Sequence, residues 1–411
     1  MSETTTRSAA SYDVAAVRAH FPSLGDGGAA HFDGPGGTQT PDVVARAVHD
    51  TLLSPLANRG SATPAERNAD AVVVGARSAL GDLLGADPGG IVFGRSMTQL
   101  TLDLARTLAK GWGPGDEVVV TRLDHDANVR TWVLAAEAVG ATVRFADFDP
   151  ETGELAPGQI ERVITPATRL VAVTGASNLI GTMPDLYAIA EVVHAAGALF
   201  FVDAVHLVAH VAIDMTASGA DFVVCSPYKF LGPHCGALAG RPEILERLAP
   251  DKLLPSADVV PEKFELGTLP YELMAGTTAA VDFLAGLSPA AGGSRRERIL
   301  ASMAALEQHE KGLLARLEDE FAALPGVTLH SRAARRTPTL LATFEGHDLQ
   351  SIRHFLAERG VNAPAGSFYA YEASRRLGLG ATGGLRVGLA PYSDDADVDR
   401  LLAGLAAYFR Q

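Results

Sequence analysis

The strongest constraint on the fold is an alternation between residues 117 and 225. Short β-rich runs at Glu117–Thr121, Thr142–Ala146, Arg169–Thr174, Leu199–Asp203 and Asp221–Cys225 alternate with helical periodicity, as at Asn128–Val139 and Asp185–Ala196. Strands separated by helices of about ten residues or more build right-handed βαβ units and a mainly parallel sheet. Upstream, helical periodicity covers Asp42–Leu53, Asn68–Leu84 and Thr98–Ala109. A short helix and a Pro turn are expected within Tyr12–Leu24, followed by the Gly-rich segment FDGPGGTQTP, and residues 1–11 read as disordered. After about Gly276 the texture changes. A long helix is expected over Arg295–Leu324, strands at Thr337–Phe344 and Leu385–Leu389, and helices at Gln350–Arg359 and Asp395–Phe409. That is the pattern of a smaller α+β domain. The expected division is an arm over 1–25, a large domain over 26–275 and a small domain over 276–411, which suits a chain of 411 residues.

Composition narrows the function class. A formal net charge of −14 with no Lys/Arg run makes the chain a poor binder of nucleic acid or anionic membrane. Two cysteines, Cys225 and Cys235, exclude a disulfide scaffold and a four-cysteine zinc site. The N-terminus lacks an apolar signal core, and the most apolar stretch, Ala196 to Ile213, carries Asp203, His206 and His210. A cytoplasmic location is expected.

In open α/β sheets, ligands bind at the carboxyl ends of the strands. Those ends carry chemistry here: Asp124-His125-Asp126-Ala-Asn128 after the first run, Asn178 after Arg169–Thr174, Asp203-Ala-Val-His206 after Leu199–Val202, and Ser226-Pro-Tyr-Lys229 after Asp221–Cys225. These are the parts a pyridoxal phosphate (PLP) site needs. A lysine must join the cofactor through a neutral amine, and a desolvated or cation-rich setting lowers its pKa. A carboxylate must pair with the pyridinium nitrogen so that the ring can act as an electron sink. The phosphate wants a helix N-terminus with hydroxyls, a role that suits Thr98.

The segment Ser226-Pro-Tyr-Lys-Phe-Leu-Gly-Pro-His234 resembles the lysine motif of class V aminotransferases, the fold-type I PLP branch that includes cysteine desulfurases. The resemblance runs along nearly the whole chain. It implies a large domain with a mostly parallel seven-stranded sheet and a small C-terminal α+β domain. It implies that Lys229 carries PLP, that Asp203 is the pyridinium partner, and that His125 stacks on the ring. Asn178 and His206 resemble the pair at the phenolate oxygen and ring edge. Ser226, Tyr228 and Thr98, with the backbone of Met97, resemble phosphate ligands. Arg386 resembles the arginine that holds the substrate carboxylate, for which a guanidinium fork is suited. Glu265-Leu-Gly-Thr268 and Asn58-Arg59-Gly60 resemble segments that reach a neighbouring subunit's site, Thr268 toward its phosphate and Arg59 toward its substrate, so a homodimer with shared sites is implied.

Departures qualify the activity. Asp203-x-x-His206 replaces the Asp-x-x-Gln of many desulfurases, and Tyr228 replaces their usual His. Residues 362–386 hold no cysteine, where persulfide-forming relatives carry a mobile catalytic one. The segment Gly366-Ser-Phe-Tyr369 matches the desulfurase-like subgroup instead. The expected substrate is L-cysteine or an S-substituted cysteine, and the expected outcome is C–S cleavage by β-elimination. Alternatives in the same class are decarboxylative or oxidative deamination, transamination, epimerisation and the desulfurase or selenocysteine lyase reaction. A scaffold that kept the fold without catalysis is a separate class.

Plainer readings stand beside these. His206 and His210 form an H-x3-H pair, but no third neutral ligand accompanies them and no metal is expected. Gly378-Leu-Gly-Ala-Thr-Gly383 fits GxGxxG, but it follows a helix and precedes a strand, the reverse of a dinucleotide site. Cys225 reads as packing.

Overall fold

The computed structural model describes residues 12–25, 27–289 and 292–410. The expected disorder of residues 1–11 therefore lies outside the described residues, as does part of the expected arm.

The central element is a seven-stranded sheet. In spatial order its strands are Ile91–Gly94, Gly236–Gly240, Phe222–Cys225, Leu199–Asp203, Thr168–Thr174, Glu117–Thr121 and Thr142–Ala146. Neighbours are parallel except at Gly236–Gly240, which is antiparallel to both strands beside it. The inner parallel strands are apolar on both faces, as a sheet covered by helices on both sides requires, whereas the edge strand Thr142–Ala146 is only partly buried. Val119, Val171, Phe200, Val202 and Val223 face one core together with Val73 and Leu80 of the helix Pro64–Leu84. Their alternates Val118, Val120, Leu170, Phe201 and Val224 face a second core with Leu104 of Met97–Ala109 and Trp132 of Arg130–Val139.

A second sheet, ordered Ala365–Gly366, Gly384–Gly388, Thr339–Phe344, Val327–Leu329, is antiparallel throughout. The helices Arg295–Ala322, Leu349–Ala357 and Asp395–Tyr408 close its core through Leu317, Ile352 and Leu401. The N-terminal stretch is stitched to this layer: Ala30 and His31 pair in parallel with Val361 and Asn362, and Phe32 lies in its core. The segment that follows, Pro35–Gly37, crosses back to the large sheet.

Several elements exceed the sequence expectation, among them two strands of the large sheet and one long helix. Ile91–Gly94 and Gly236–Gly240 are short and glycine-bearing, and Tyr271–Ala285 is apolar nearly all round because it is packed between other helices. Gly236 has a specific duty. A Cβ there would lie 2.2 Å from the Ser96 carbonyl carbon and 2.3 Å from Met97 N. Only glycine lets the strand and the helix start at Met97 come this close, and that approach sets the helix N-terminus against the sheet edge.

Candidate active site

The parallel strands deliver their carboxyl ends to one edge, and a small cavity of about 60 Å³ opens there. Met97, Thr98, His125, Asn178, Asp203, His206, Ser226, Tyr228 and Lys229 all line it. Residues spread over 133 positions of sequence are thus brought together by the topology. A larger cavity of about 720 Å³ adjoins it and shares Thr98, His125, Asn178, Tyr228 and Lys229 while adding Arg386. Arg59 and Thr268 line neither. Arg59 is pinned within its own chain by Asp70 and Glu262, at 2.9 and 2.8 Å, and Thr268 is exposed. Glu265 turns inward, bonding Arg77 at 2.7 Å and Phe93 N at 3.0 Å.

Lys229 ends a single 3₁₀ turn, Pro227–Lys229, straight after the strand Phe222–Cys225. Its amine donates to the carbonyl of Pro35. Burial, reinforced by the positive charge of Arg386 and opposed by Asp203, lowers its pKa to about 7. Half of the amines would be neutral at that pH, where an ordinary lysine is almost wholly charged. Beside it, the Tyr228 ring lies flat against His234, 4.7 Å between centroids and 4° between planes.

Asp203 closes the strand Leu199–Asp203 and accepts from Val205 N at 2.9 Å. Burial raises its pKa to about 6, against the pull of that hydrogen bond and of Lys229. Such a carboxyl is ready to ionise fully beside a positive group. His125 Nδ1 accepts from Ala127 N at 3.1 Å, which leaves the proton of the neutral ring on Nε2. Burial and the charges of Lys229 and Arg386 lower its pKa to about 4, so it is neutral at pH 7. Beneath it, Asp124 accepts from Thr121 Oγ1 and from Asn128 Nδ2, and Asn128 Oδ1 accepts from Trp132 Nε1 at 3.0 Å. This buried network, with Asp124 pushed up to about 8 by desolvation, fixes the turn that presents His125.

His206, which lines the small cavity, is anchored by partners from distant sequence. Its Nε2 meets the hydroxyls of Thr337 and Thr339, each at 2.9 Å. Its ring packs edge-on against His210, which pairs with Glu310 at 3.0 Å. The H-x3-H pair is thus engaged by side chains from the C-terminal part of the chain.

Arg386 comes from the second sheet, on Gly384–Gly388, and reaches across to the first. Its Nη1 donates to the Asn178 carbonyl at 2.9 Å, and its guanidinium carbon lies 3.7 Å from the Phe368 ring centroid. Among the described residues its Nε has no hydrogen-bond partner, nor does Asn178 Oδ1, although both are buried. Burial brings the Arg386 pKa down to about 9. Asn178 Nδ2 donates to Phe368 O at 2.9 Å, and Asp126 N donates to Tyr369 O at 2.7 Å. These bonds hold Phe368 and Tyr369 in left-handed backbone conformations, φ 53° and 58°, each costing about 1–3 kcal/mol.

The Pro35 carbonyl, the two threonines and the stacking of Phe368 on Arg386 are not legible from sequence, although Phe368 lies in the Gly366–Tyr369 motif. FDGPGGTQTP stands out in the sequence only as glycine-rich, and nothing in it announces the carbonyl that receives Lys229. The cysteines lie elsewhere: Cys225 and Cys235 are buried and line neither cavity. Burial raises both thiol pKa values, that of Cys235 to about 11.

The cavity residues fit PLP. An amine that can be neutral, a buried carboxyl, hydroxyls at a helix N-terminus and two buried polar atoms without partners among the described residues converge on one site. Comparison with known proteins agrees. The chain is 38% identical over 400 residues to the uncharacterized protein MT3887 of Mycobacterium tuberculosis, covering 96% of this chain and 99% of that one. It is 32% identical to a probable cysteine desulfurase of Mycolicibacterium paratuberculosis, covering 95% of this chain and 57% of that longer one. The crystal structure of the cysteine desulfurase CsdA of Escherichia coli, in an S-sulfonic acid form, superposes with a TM-score of 0.84 at 27% identity, over 97% of this chain and 99% of that one. The family model for class-V aminotransferases matches residues 30–401. The chain belongs to the class-V aminotransferase family of PLP-dependent enzymes, on its cysteine desulfurase-like side.

Proposed function

We propose that the chain cleaves the C–S bond of an L-cysteine-like or S-substituted cysteine substrate by β-elimination. The observation that carries this reading is one cavity system holding an amine poised near neutrality and a buried guanidinium, with no thiol among the described residues that line it.

PLP, when bound, supplies a sink for the electron pair left at Cα when a bond to that carbon breaks. Lys229 is the group that would hold it covalently, Asp203 the carboxylate at its ring nitrogen, and Thr98 and Ser226 the hydroxyls for its phosphate. Asn178 and His206 would border its ring edge, and neutral His125 would cover its face. Arg386 receives the substrate carboxylate on the edge that carries the unpartnered Nε. Lys229, whose amine is buried with its pKa lowered to about 7, would be the base that takes the Cα proton on Nζ. The electrons of the broken C–H bond form the Cα–Cβ double bond. Those of the Cβ–S bond leave with sulfur, which departs as a thiolate and takes a proton from solvent. The released 2-aminoacrylate adds water to give pyruvate and ammonia.

A persulfide outcome needs a thiol at the substrate sulfur. Cys225 and Cys235, buried and with raised thiol pKa values, are poorly suited to it. We also read the chain as a cytoplasmic homodimer whose partner supplies Arg59 and Thr268. The exposed Leu266, two residues before Thr268, supports a covered surface there. No helix among the described residues is long and apolar enough to cross a membrane. The test is product identification by mass from holoenzyme given cysteine, selenocysteine, cysteine S-conjugates and alanine. Pyruvate with free thiol is expected. Alanine with persulfide or selenide would overturn the elimination reading in favour of a desulfurase or selenocysteine lyase.

A further inference from the structure

The catalytic residues proposed above account for the small cavity and one side of the large one. The rest of the large cavity has no role in them. At about 720 Å³ it falls in the range that encloses drug-sized ligands, roughly 300–1,000 Å³. PLP held at Lys229 would take the part beside Thr98, His125 and Tyr228, and a cysteine side chain is too short to line the wall beyond them.

Its unassigned wall is apolar. Leu102 and Leu134 come from the helices Met97–Ala109 and Arg130–Val139, Ala127 from the turn after His125, and Phe368 and Tyr369 from the second sheet's loop. Leu134 is 53% exposed and Tyr369 75% exposed, large side chains whose carbon atoms stand in water beside a cavity. Single exposed apolar residues are ordinary, but here they share one concave wall. Part of the wall is also held in place. The Asn178 and Asp126 bonds to the Phe368 and Tyr369 carbonyls hold the backbone of this pair at the cavity, and Arg386 backs the Phe368 ring. Holding the backbone lowers the ordering cost of binding.

Charge points the same way. Arg130 is the cation at this end, and Asp126 lies 3.4 Å from it. With the pair close to neutral, an acidic side chain would gain little there.

We propose that this outer lobe is a subsite for a long or aromatic, uncharged substituent on the amino-acid substrate, formed by Leu102, Ala127, Leu134, Phe368 and Tyr369. The inference rests on the amino-acid reading above and deepens it: the sulfur would carry a bulky alkyl or aryl group rather than a proton.

Binding of amino acids with no leaving group on Cβ tests it apart from the reaction. Holoenzyme would be titrated by calorimetry with L-alanine, L-norvaline, L-norleucine, L-homophenylalanine and L-glutamate. Affinity should rise about three- to fourfold per added methylene. Homophenylalanine should bind at least tenfold more tightly than alanine, and glutamate no more tightly than alanine. Leu134→Asp, a change at an exposed helix position, should bring the homophenylalanine-to-alanine ratio to about one. A flat series, or a preference for glutamate, would overturn the subsite. A rising series in an enzyme that does not cleave S-conjugates would keep the subsite and sink the elimination reading. A flat series in one that cleaves them would do the reverse.

Discussion

The guanidinium carbon of Arg386 lies 3.7 Å from the centre of the Phe368 ring. One face of the cation is therefore covered, and Nη1 is committed to the Asn178 carbonyl. What stays open is the edge bearing Nε. A buried cation with one open edge selects a planar anion that can bond along that edge.

Replacing Arg386 should therefore act on the substrate and not on the cofactor. Arg386→Ala is expected to raise KM by about 100-fold, the cost of a charge-assisted hydrogen-bond pair, with PLP still bound. Steady-state kinetics and the cofactor absorption of the purified variant check this. Loss of PLP with carboxylate affinity unchanged would show the role misassigned.

The amine of Lys229 makes a pH prediction. Its pKa is lowered to about 7 by burial first and by Arg386 second, and only the neutral amine attacks an aldehyde. The rate at which apoprotein captures PLP should rise with pH, reach half its maximum near pH 7 and level off above. Arg386→Gln removes the cationic neighbour, which should move the midpoint upward. Stopped-flow absorbance across pH reads both, and a midpoint near the ordinary lysine value of 10.5 would contradict the account.

Asp203 is proposed to act through charge. Asp203→Asn keeps the shape and removes the charge, so PLP should still be captured while kcat falls by about 100-fold or more. Measuring bound cofactor alongside kcat separates this from a folding defect. A variant with wild-type turnover would remove Asp203 from the mechanism.

The cysteines offer a negative control with content. Cys225 is buried in the large sheet, and Cys235 Sγ lies 3.5 Å from Thr277 Oγ1. Cys225→Ala and Cys235→Ser should each cost about 1 kcal/mol of stability and keep turnover within about twofold. Urea midpoints and initial rates test the pair. A 100-fold loss of rate in either would bring back a thiol mechanism.

The sequence disclosed the part of the site that local rules govern. Lys229, Asp203, Asn178 and His125 each follow a short apolar run, and parallel strands place their ends on one edge whatever the details of packing. Strands Ile91–Gly94 and Gly236–Gly240 escaped because runs of four or five residues are too short to carry a periodic signal. The Pro35 carbonyl, the Phe368 ring and the Thr337–Thr339 hydroxyls escaped for another reason. They reach the cavity only through packing of the second sheet and the N-terminal stretch against the first, contacts 131 to 194 positions apart in sequence. The partners of His206 were hidden in the same way, because a threonine in a strand announces nothing about which histidine it will meet.

The covalent attachment at position 229 can be read directly. Holoprotein would be treated with borohydride, which fixes a carbon–nitrogen double bond as a stable amine, then digested and mapped by mass spectrometry. The account predicts a pyridoxyl-phosphate adduct on the peptide containing Lys229 and none in Lys229→Ala, which should also be colourless and inactive. An adduct on another lysine, or full turnover in that variant, would contradict it.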